Sequence, residues 1–347
     1  MSDKGFDYWD FFVGETRRVN APLYTRLTEG IAQDEDLKAL AANARKGQPH
    51  ANILFGAVHF LLLRGTEHPL KRFYRTLGGE ADPSRDDPFP DFRDFVQKNN
   101  AALLPIVSSR VTNTNEVGRS ALLHAGFRAL VKDAGEPLHL IELGPSAGMN
   151  MLWDRYGVRY VKDGATVAEI APDARLVIAC EVRGDALPPT APTPKVASRV
   201  GLERNPVDLS DPANRDWLKA LVWPDHLPRF RQLERALSLY VPGSAPILEG
   251  DALELLLDAL ARAPANEPVC VYHSMVTYQF TEAAREALDN LLIAASLRRP
   301  VWRLSLENMY KSGDNPLTLF SYRDGARART TLALCGPHGT WIEWQAS

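Results

Sequence analysis

Several signals that identify common classes of protein are weak or missing in this chain. Its 347 residues include few cysteines, which are far apart and form no C-x-x-C pair: Cys180, Cys270 and Cys335. Neither a disulfide framework nor a zinc site is therefore expected. The longest apolar run, residues 51–63, is too short to span a bilayer and includes Asn52 and His59. We expect no metal, no membrane partner and reduced thiols.

The charge distribution also excludes some partners. The net charge is −3 and no dense run of lysine and arginine occurs, which argues against nucleic acid as a partner. The first residues are polar and acidic and do not resemble a signal peptide, so a cytoplasmic location is expected. The length allows one large or two ordinary domains. The oligomeric state stays open.

What the sequence does contain is an apolar segment that ends in a carboxylate and runs into two glycines four residues apart. Residues 138–150 read Leu-His-Leu-Ile-Glu-Leu-Gly-Pro-Ser-Ala-Gly-Met-Asn, with Glu142, Gly144, Ser146 and Gly148 as the marked positions. The pattern predicts a strand over 138–143, a tight turn, and a helix over 149–156. Because glycine tolerates positive φ and carries no Cβ, such a turn lets a ligand approach the backbone and the helix N-terminus.

The spacing narrows the choice of ligand. The dinucleotide pattern G-x-G-x-x-G would require glycine-like residues where Ser146 and Met149 stand, and a phosphate-binding loop would require a lysine after Gly148. The observed E-x-G-x-x-x-G resembles the first motif of class I S-adenosylmethionine (SAM) methyltransferases. The resemblance implies that Glu142 is the acidic position of that motif and that the glycines bracket the methionine part of the cofactor. Ser146 departs from the family, which usually has glycine there. An ordinary strand–turn–helix without a ligand remains an alternative.

The chain divides into two regions of different periodicity. Residues 1–136 read almost entirely as helix, and from 137 to 347 strands alternate with helices, with an insertion at about 157–198. Strands are predicted at 138–143, 196–202, 246–249, 268–273 and 301–306, followed by three strand-like runs at the end, the last two joined as a hairpin. We predict an α/β fold: an all-α N-terminal domain followed by a Rossmann-like, mostly parallel sheet with an antiparallel C-terminal hairpin.

Polar residues follow three of the predicted strands in chain order. These are the glycine loop after the first strand, Glu203 after the second, and Gly250-Asp251-Ala252 after the third. The methyltransferase resemblance implies that Glu203 binds the ribose hydroxyls and that Asp251 with Ala252 binds adenine. Glu181, which also ends an apolar run, competes with Glu203 for the ribose, and Asp251 also suits a helix N-cap.

Further polar residues are candidates for contact with the methyl acceptor, a small molecule: Asn52, His59, Asn115, Glu116 and Arg119. His273, at the end of the fourth strand, is the candidate catalytic residue, because its ordinary pKa suits a base at neutral pH. Other interpretations stay open. Asn52 and His59 share one helix face and can be core polar groups, Glu116 has capping-box spacing to Asn113, and His273 can be a packing residue.

Over most of its length the chain also resembles a bacterial family catalogued as domain of unknown function 2332. The resemblance rests on the glycine loop and on Gly47-Gln-Pro-His-Ala-Asn52, His59-Phe-Leu-Leu-Leu-Arg64-Gly, Asp87-Pro-Phe-Pro90, Thr114-Asn-Glu-Val-Gly-Arg119, Trp153-Asp-Arg-Tyr156, Asn205-Pro-Val-Asp208 and Trp223-Pro-Asp-His226. This family has no established reaction, so the resemblance supports the fold and leaves the substrate open. From the methyltransferase resemblance of the glycine loop, Glu203 and Asp251, we expect a SAM-dependent methyltransferase acting on a small molecule. The alternatives are a non-catalytic SAM- or nucleotide-binding module, and a SAM-fold enzyme of other chemistry such as aminopropyl transfer.

Overall fold

The computed structural model describes residues 8–307 and 315–346 and divides the chain into two compact units. The helical unit comprises residues 1–114 and 209–234, and the sheet unit comprises 115–208 and 235–347. The described residues form ten α-helices: α1 (Tyr8–Arg18), α2 (Pro22–Ile31), α3 (Glu35–Ala41), α4 (His50–Leu63), α5 (Phe89–Ser109), α6 (Ser120–Ala134), α7 (Pro212–Ala220), α8 (Leu227–Leu239), α9 (Ala252–Ala261) and α10 (Glu282–Ser296).

The unit boundaries differ from those predicted in two places. Helix α6, which lies within the predicted N-terminal domain of residues 1–136, belongs to the sheet unit, where a Cβ at Gly126 would lie 2.7 Å from Leu304 of the sheet. Residues 209–234 belong to the helical unit because α7 packs on α4, with the Trp217 ring 3.1 Å from where a Cβ at Gly56 would lie. Periodicity identifies a helix but not the surface against which its apolar face is buried.

The helical unit is built around α4. Ten of its fourteen residues are buried, as expected for a helix that is apolar on every side. Aromatic rings from neighbouring helices complete this core, and Tyr24 of α2 stacks on Phe55 with ring centroids 4.2 Å apart.

The sheet unit contains one eleven-stranded sheet in the described residues. Its strands are β1 (Leu138–Leu143), β2 (Gly157–Lys162), β3 (Ala165–Ile170), β4 (Val177–Arg183), β5 (Val196–Glu203), β6 (Ile247–Glu249), β7 (Val269–Ser274), β8 (Val301–Leu306), β9 (Asn315–Arg323), β10 (Ala326–Cys335) and β11 (Trp341–Trp344). The order is β3-β2-β4-β11-β10-β9-β8-β7-β1-β5-β6. The fold is therefore mixed α/β, with a large, mostly parallel sheet and antiparallel C-terminal strands, as predicted.

The five strands predicted as the parallel core, β1, β5, β6, β7 and β8, are all present and parallel. Across the sheet these strands lie in the order β6-β5-β1-β7-β8. The chain therefore runs from β1 outward to β6 on one side and continues with β7 and β8 on the other side, so the connections reverse direction between β1 and β7. Such a switch point is where open α/β sheets bind ligands, outside the carboxyl ends of the strands. Strands β2, β3 and β4, from the predicted insertion, instead extend the sheet beyond β11.

The helix predicted at 149–156 is present, but it is shorter than predicted and is not an α-helix. The segment Asn150–Arg155 is a short 3-10 helix, with Leu152 outside helical geometry. All of residues 150–153 are buried, which an α-helix lying on the sheet with one face would not permit. Because this helix has only six residues and is interrupted at Leu152, its N-terminus provides a much weaker anion site than that of a regular α-helix.

Candidate functional site

The glycine loop, residues 144–149, leaves β1 and lies at the carboxyl ends of β1 and β5. Gly144, Ser146 and Gly148 all have positive φ, at 64°, 57° and 77°. Serine rarely adopts this conformation, whereas glycine adopts it readily. Ser146 therefore has a backbone geometry that is more typical of glycine.

The glycines are required by packing against the protein itself. A Cβ on Gly144 would lie 2.8 Å from the Val276 side chain, and one on Gly148 would lie 2.9 Å from the Ala245 Cβ. The expectation that their missing side chains open a path for a ligand is therefore not met at these two positions. Instead they let the loop lie directly against the segments that follow β7 and precede β6.

Side chains from two other elements hold the loop in place. The Ser146 N–H donates to the Glu203 carboxylate at 3.0 Å, and the Met149 N–H donates to the Asn115 side-chain oxygen at 2.8 Å. The other Glu203 oxygen accepts from the Asn205 N–H at 3.0 Å. These loop N–H groups are thus already bound by protein oxygens.

The structure separates the two candidates for the ribose carboxylate. Glu203 ends β5, the neighbour of β1, and contacts the loop directly. Glu181 lies on β4, six places from β1 in the strand order. At about 4.8 Å per strand that separation is roughly 29 Å. Of the two, only Glu203 lies at the glycine loop.

Asp251 acts as the N-cap of α9, accepting from the Leu253 N–H at 2.8 Å, as the alternative interpretation expected. Its carboxylate also pairs with the guanidinium of Arg204, the residue after Glu203. The hydrogen bond from Arg204 is the main cause that lowers the pKa of Asp251. Ala252 begins α9, where a helix leaves backbone N–H groups without intrahelical partners.

Glu142 is a buried carboxyl group two residues before the loop. It is 2% exposed and accepts a hydrogen bond of 3.0 Å from the hydroxyl of Tyr272, its register partner on β7. Burial raises the pKa of Glu142 to about 8, although the Tyr272 bond and the positive charge of Arg119 act in the opposite direction. Glu142 is therefore largely protonated at neutral pH.

His273 lies on the opposite face of the sheet from Glu142, because it follows Tyr272 in β7 and successive strand residues alternate in direction. It is 1% exposed, and its Nδ1 donates to Glu307 at 2.5 Å. Its Nε2 is buried and has no hydrogen-bond partner among the described residues. The packing interpretation thus fits the position of His273 better than contact with an acceptor.

Glu307, which no sequence motif indicated, organises the loop after β7. Its carboxylate accepts the N–H groups of Val276, Thr277 and Tyr278 at 3.0, 3.0 and 3.1 Å. Burial alone would raise the pKa of Glu307, but the bonds from His273 and the backbone outweigh it and lower the pKa. A signal was present, since Glu307 directly follows β8 as Glu203 ends β5, but no motif drew attention to it.

Three predicted acceptor residues belong to the sheet unit and interact with its loops. The Asn115 amide also donates to the Pro145 carbonyl at 3.4 Å. The Glu116 carboxylate lies 3.2 Å from Nδ1 of His338. Arg119 donates to the carbonyl oxygens of Pro337 and Ser274 at 2.9 and 3.1 Å. The capping-box interpretation of Glu116 requires a helix that begins after Asn113, whereas α6 begins only at Ser120.

The side chains of Asn52 and His59 form hydrogen bonds inside the helical unit. The Asn52 side-chain oxygen accepts from the Trp223 indole at 3.1 Å. His59 is fully buried, donates from Nδ1 to the Ala220 carbonyl at 3.0 Å and accepts at Nε2 from the Thr76 hydroxyl at 2.8 Å. Burial lowers the pKa of His59 to about 4, so the ring is neutral. Contact of either residue with an acceptor remains a prediction.

Within the described residues, no helix is long and apolar enough to cross a membrane, and no cluster of three or more histidine, cysteine, aspartate or glutamate side chains is arranged to hold a metal ion.

Comparison with known proteins places the chain in a family. No curated protein matches the sequence. A family profile matches residues 11–344, which is nearly the whole chain. The chain therefore belongs to the bacterial family described as "uncharacterized protein conserved in bacteria (DUF2332)".

Proposed function

We propose that the sheet unit binds SAM at the glycine loop and transfers its methyl group to a small molecule. The observation that carries the proposal is the junction of the loop with Glu203. A positive-φ turn leaves β1 beside a switch point of a parallel sheet and is bonded to a carboxylate at the end of the neighbouring strand. This is the position at which an adenosyl ligand meets a ribose-binding carboxylate in open α/β folds.

The charges around the loop favour a cationic ligand over a polyphosphate. The carboxylate of Glu203 ends β5, and that of Asp251 lies two residues after the neighbouring β6. Arg204 pairs with Asp251, and the loop N–H groups of Ser146 and Met149 bind protein oxygens. A phosphate needs free N–H groups and positive charge. This arrangement supports SAM over NAD or ATP.

The proposed ligand contacts are compatible with the bonds already present. Each Glu203 oxygen accepts one N–H group, and a carboxylate has about four lone-pair sites, so two ribose hydroxyls can still donate to it. Asp251 keeps its cap and can accept from an exocyclic amine, and the N–H of Ala252, the first residue of α9, can donate to a ring nitrogen.

SAM supplies a methyl group on a sulfonium that is already activated. The protein then has to align the acceptor with that methyl group and exclude water. A general base is needed only when the acceptor must lose a proton. His273 was predicted for that role, but its burial and its bond to Glu307 make it a positioning residue for the loop after β7 in this proposal.

Ligand binding is tested by thermal shift and calorimetry with SAM, S-adenosylhomocysteine, NAD and ATP. We expect the two adenosyl ligands to bind and the two phosphate ligands not to. Glu203→Ala should weaken SAM binding by about 1–3 kcal/mol, because the ribose hydroxyls lose a charged partner. Glu181→Ala is the matched control and should leave affinity unchanged. Absence of a shift and of heat with both adenosyl ligands at millimolar concentration would refute the proposal.

Transfer is tested by incubating the protein with methyl-labelled SAM and a cell metabolite extract. Labelled small molecules are expected. Tight SAM binding without label in any fraction would favour a non-catalytic binding module. Release of methylthioadenosine in place of S-adenosylhomocysteine would instead indicate aminopropyl-type transfer.

A further inference from the structure

Glu142 is an unusual group to find at the end of a central strand. Its side chain is 98% removed from solvent, on the face of the sheet that also carries Tyr272, and it lies two residues before Gly144. A buried carboxylate is expensive unless a cation or several hydrogen bonds compensate its charge. The groups that face Glu142 therefore determine which protonation state the free protein holds.

The surroundings of Glu142 compensate a charge only weakly. Its single hydrogen bond comes from the neutral Tyr272 hydroxyl, and no ion pair reaches it within the described residues. The charged groups that act on it are Arg119, before α6, and Glu203, on β5, and these have opposite signs. Arg119 directs N–H groups to the carbonyl oxygens of Pro337 and Ser274. The raised pKa of Glu142, about 8, agrees with the small number of groups that could compensate its negative charge.

Resting on the proposed function, we infer that Glu142 is a proton-exchanging counter-ion. It is a neutral carboxylic acid in the free protein, and it ionises when a cationic group of the cofactor binds at the glycine loop. The step is balanced: the carboxylic acid gives its proton to solvent, and the positive charge of the ligand replaces it beside the resulting carboxylate. SAM offers two such charges, the α-ammonium and the sulfonium.

Proton release can be counted by calorimetry at pH 7 in phosphate and in Tris, whose ionisation enthalpies differ. A group with a pKa of about 8 is about 90% protonated at pH 7, so close to one proton should be released per bound SAM. S-adenosylhomocysteine carries only the ammonium, and methylthioadenosine carries neither charge. Proton release with both SAM and S-adenosylhomocysteine identifies the ammonium as the charge that pairs with Glu142. Proton release with SAM alone identifies the sulfonium. Release with methylthioadenosine, or with none of the three, overturns the inference.

Glu142→Gln supplies the reference, because the glutamine oxygen can still accept from Tyr272 while the titrating proton is lost. Subtracting its proton count removes any titration of the ligand's own amine. SAM affinity of the wild type should fall close to tenfold between pH 7 and pH 6 relative to Glu142→Gln. Glu249→Gln, at the exposed end of β6, is the matched control and should behave as wild type. Identical pH profiles for wild type and Glu142→Gln would contradict the inference.

Failure of SAM binding and failure of proton exchange at Glu142 give different results. If SAM does not bind the wild type under any condition, the proposed function itself is wrong. If SAM binds and the wild type releases no more protons than Glu142→Gln, the site stands and only the role of Glu142 is refuted.

Discussion

At the scale of single residues, Glu142 makes stability depend on pH in a direction opposite to that of most acidic groups. Its pKa is higher in the folded protein, about 8, than the ordinary value of 4.5. Folding therefore favours the protonated form, and the stability it contributes is complete below pH 4.5 and is lost as the pH rises through 8. Glu142→Gln should unfold like wild type at pH 5 and be more stable at pH 8 by on the order of 2–4 kcal/mol. Calorimetric melting at both values tests this, and equal wild-type and variant stability at pH 8 would contradict it.

Gly148 offers a second prediction at this scale, because conformation and packing can be separated. Gly148→Ala places a Cβ at positive φ and 2.9 Å from the Ala245 Cβ, and should destabilise by about 2–4 kcal/mol. Gly164, also at positive φ but with nothing within 4 Å, is the control and should lose only about 1 kcal/mol as Gly164→Ala. Gly148→Ala combined with Ala245→Gly should recover part of the difference. Equal losses for both alanine variants would show that packing at the loop is unimportant.

At the scale of elements, the loop after β7 depends on one carboxylate. Glu307 accepts three consecutive N–H groups, those of residues 276–278, and the same loop places Val276 against Gly144. In Glu307→Gln one oxygen becomes an amide donor that faces these donors, so hydrogen exchange of residues 275–280 should accelerate at least about tenfold. Exposed Glu286→Gln is the control. Because the pKa of Glu307 is lowered, wild-type protection should also fall as the pH drops below its ordinary value of 4.5. Unchanged exchange in Glu307→Gln would refute this role.

The elements also show what the sequence could and could not predict. Strand β5 and Glu203 were predictable, because an apolar run ending in a carboxylate recurs in chain order. The β2–β3 hairpin was missed although Asp163 and Gly164 form its turn with φ of 52° and 78°, and Asp-Gly is a strong hairpin signal. The 3-10 segment after the glycine loop was not predictable, because its winding is set by burial on several sides.

At the scale of the whole molecule, segments of the two units alternate along the sequence. The chain passes from one unit to the other at 114/115, 208/209 and 234/235, so neither unit is a continuous stretch. Local periodicity cannot reveal such an arrangement, because it depends on which distant surface a helix buries. The predicted division at residue 136 therefore captured the change from helices to strands but not the membership of α6 and α7.

This interleaving predicts that the N-terminal part of the helical unit cannot complete its core alone. In residues 1–114 the buried His59 would lose the Ala220 carbonyl, and the Val111 carbonyl would lose its bond from Trp217, at 3.0 and 2.9 Å in the intact chain. The fragment should show little cooperative unfolding by circular dichroism. Addition of a peptide of residues 209–234 should restore helical signal and a thermal transition, because α7 then covers Gly56. The same peptide with Trp217→Ala should restore much less, since a large buried ring is removed at a cost of about 3–5 kcal/mol. A fragment 1–114 that melts cooperatively and ignores the peptide would show that α7 is dispensable to this core.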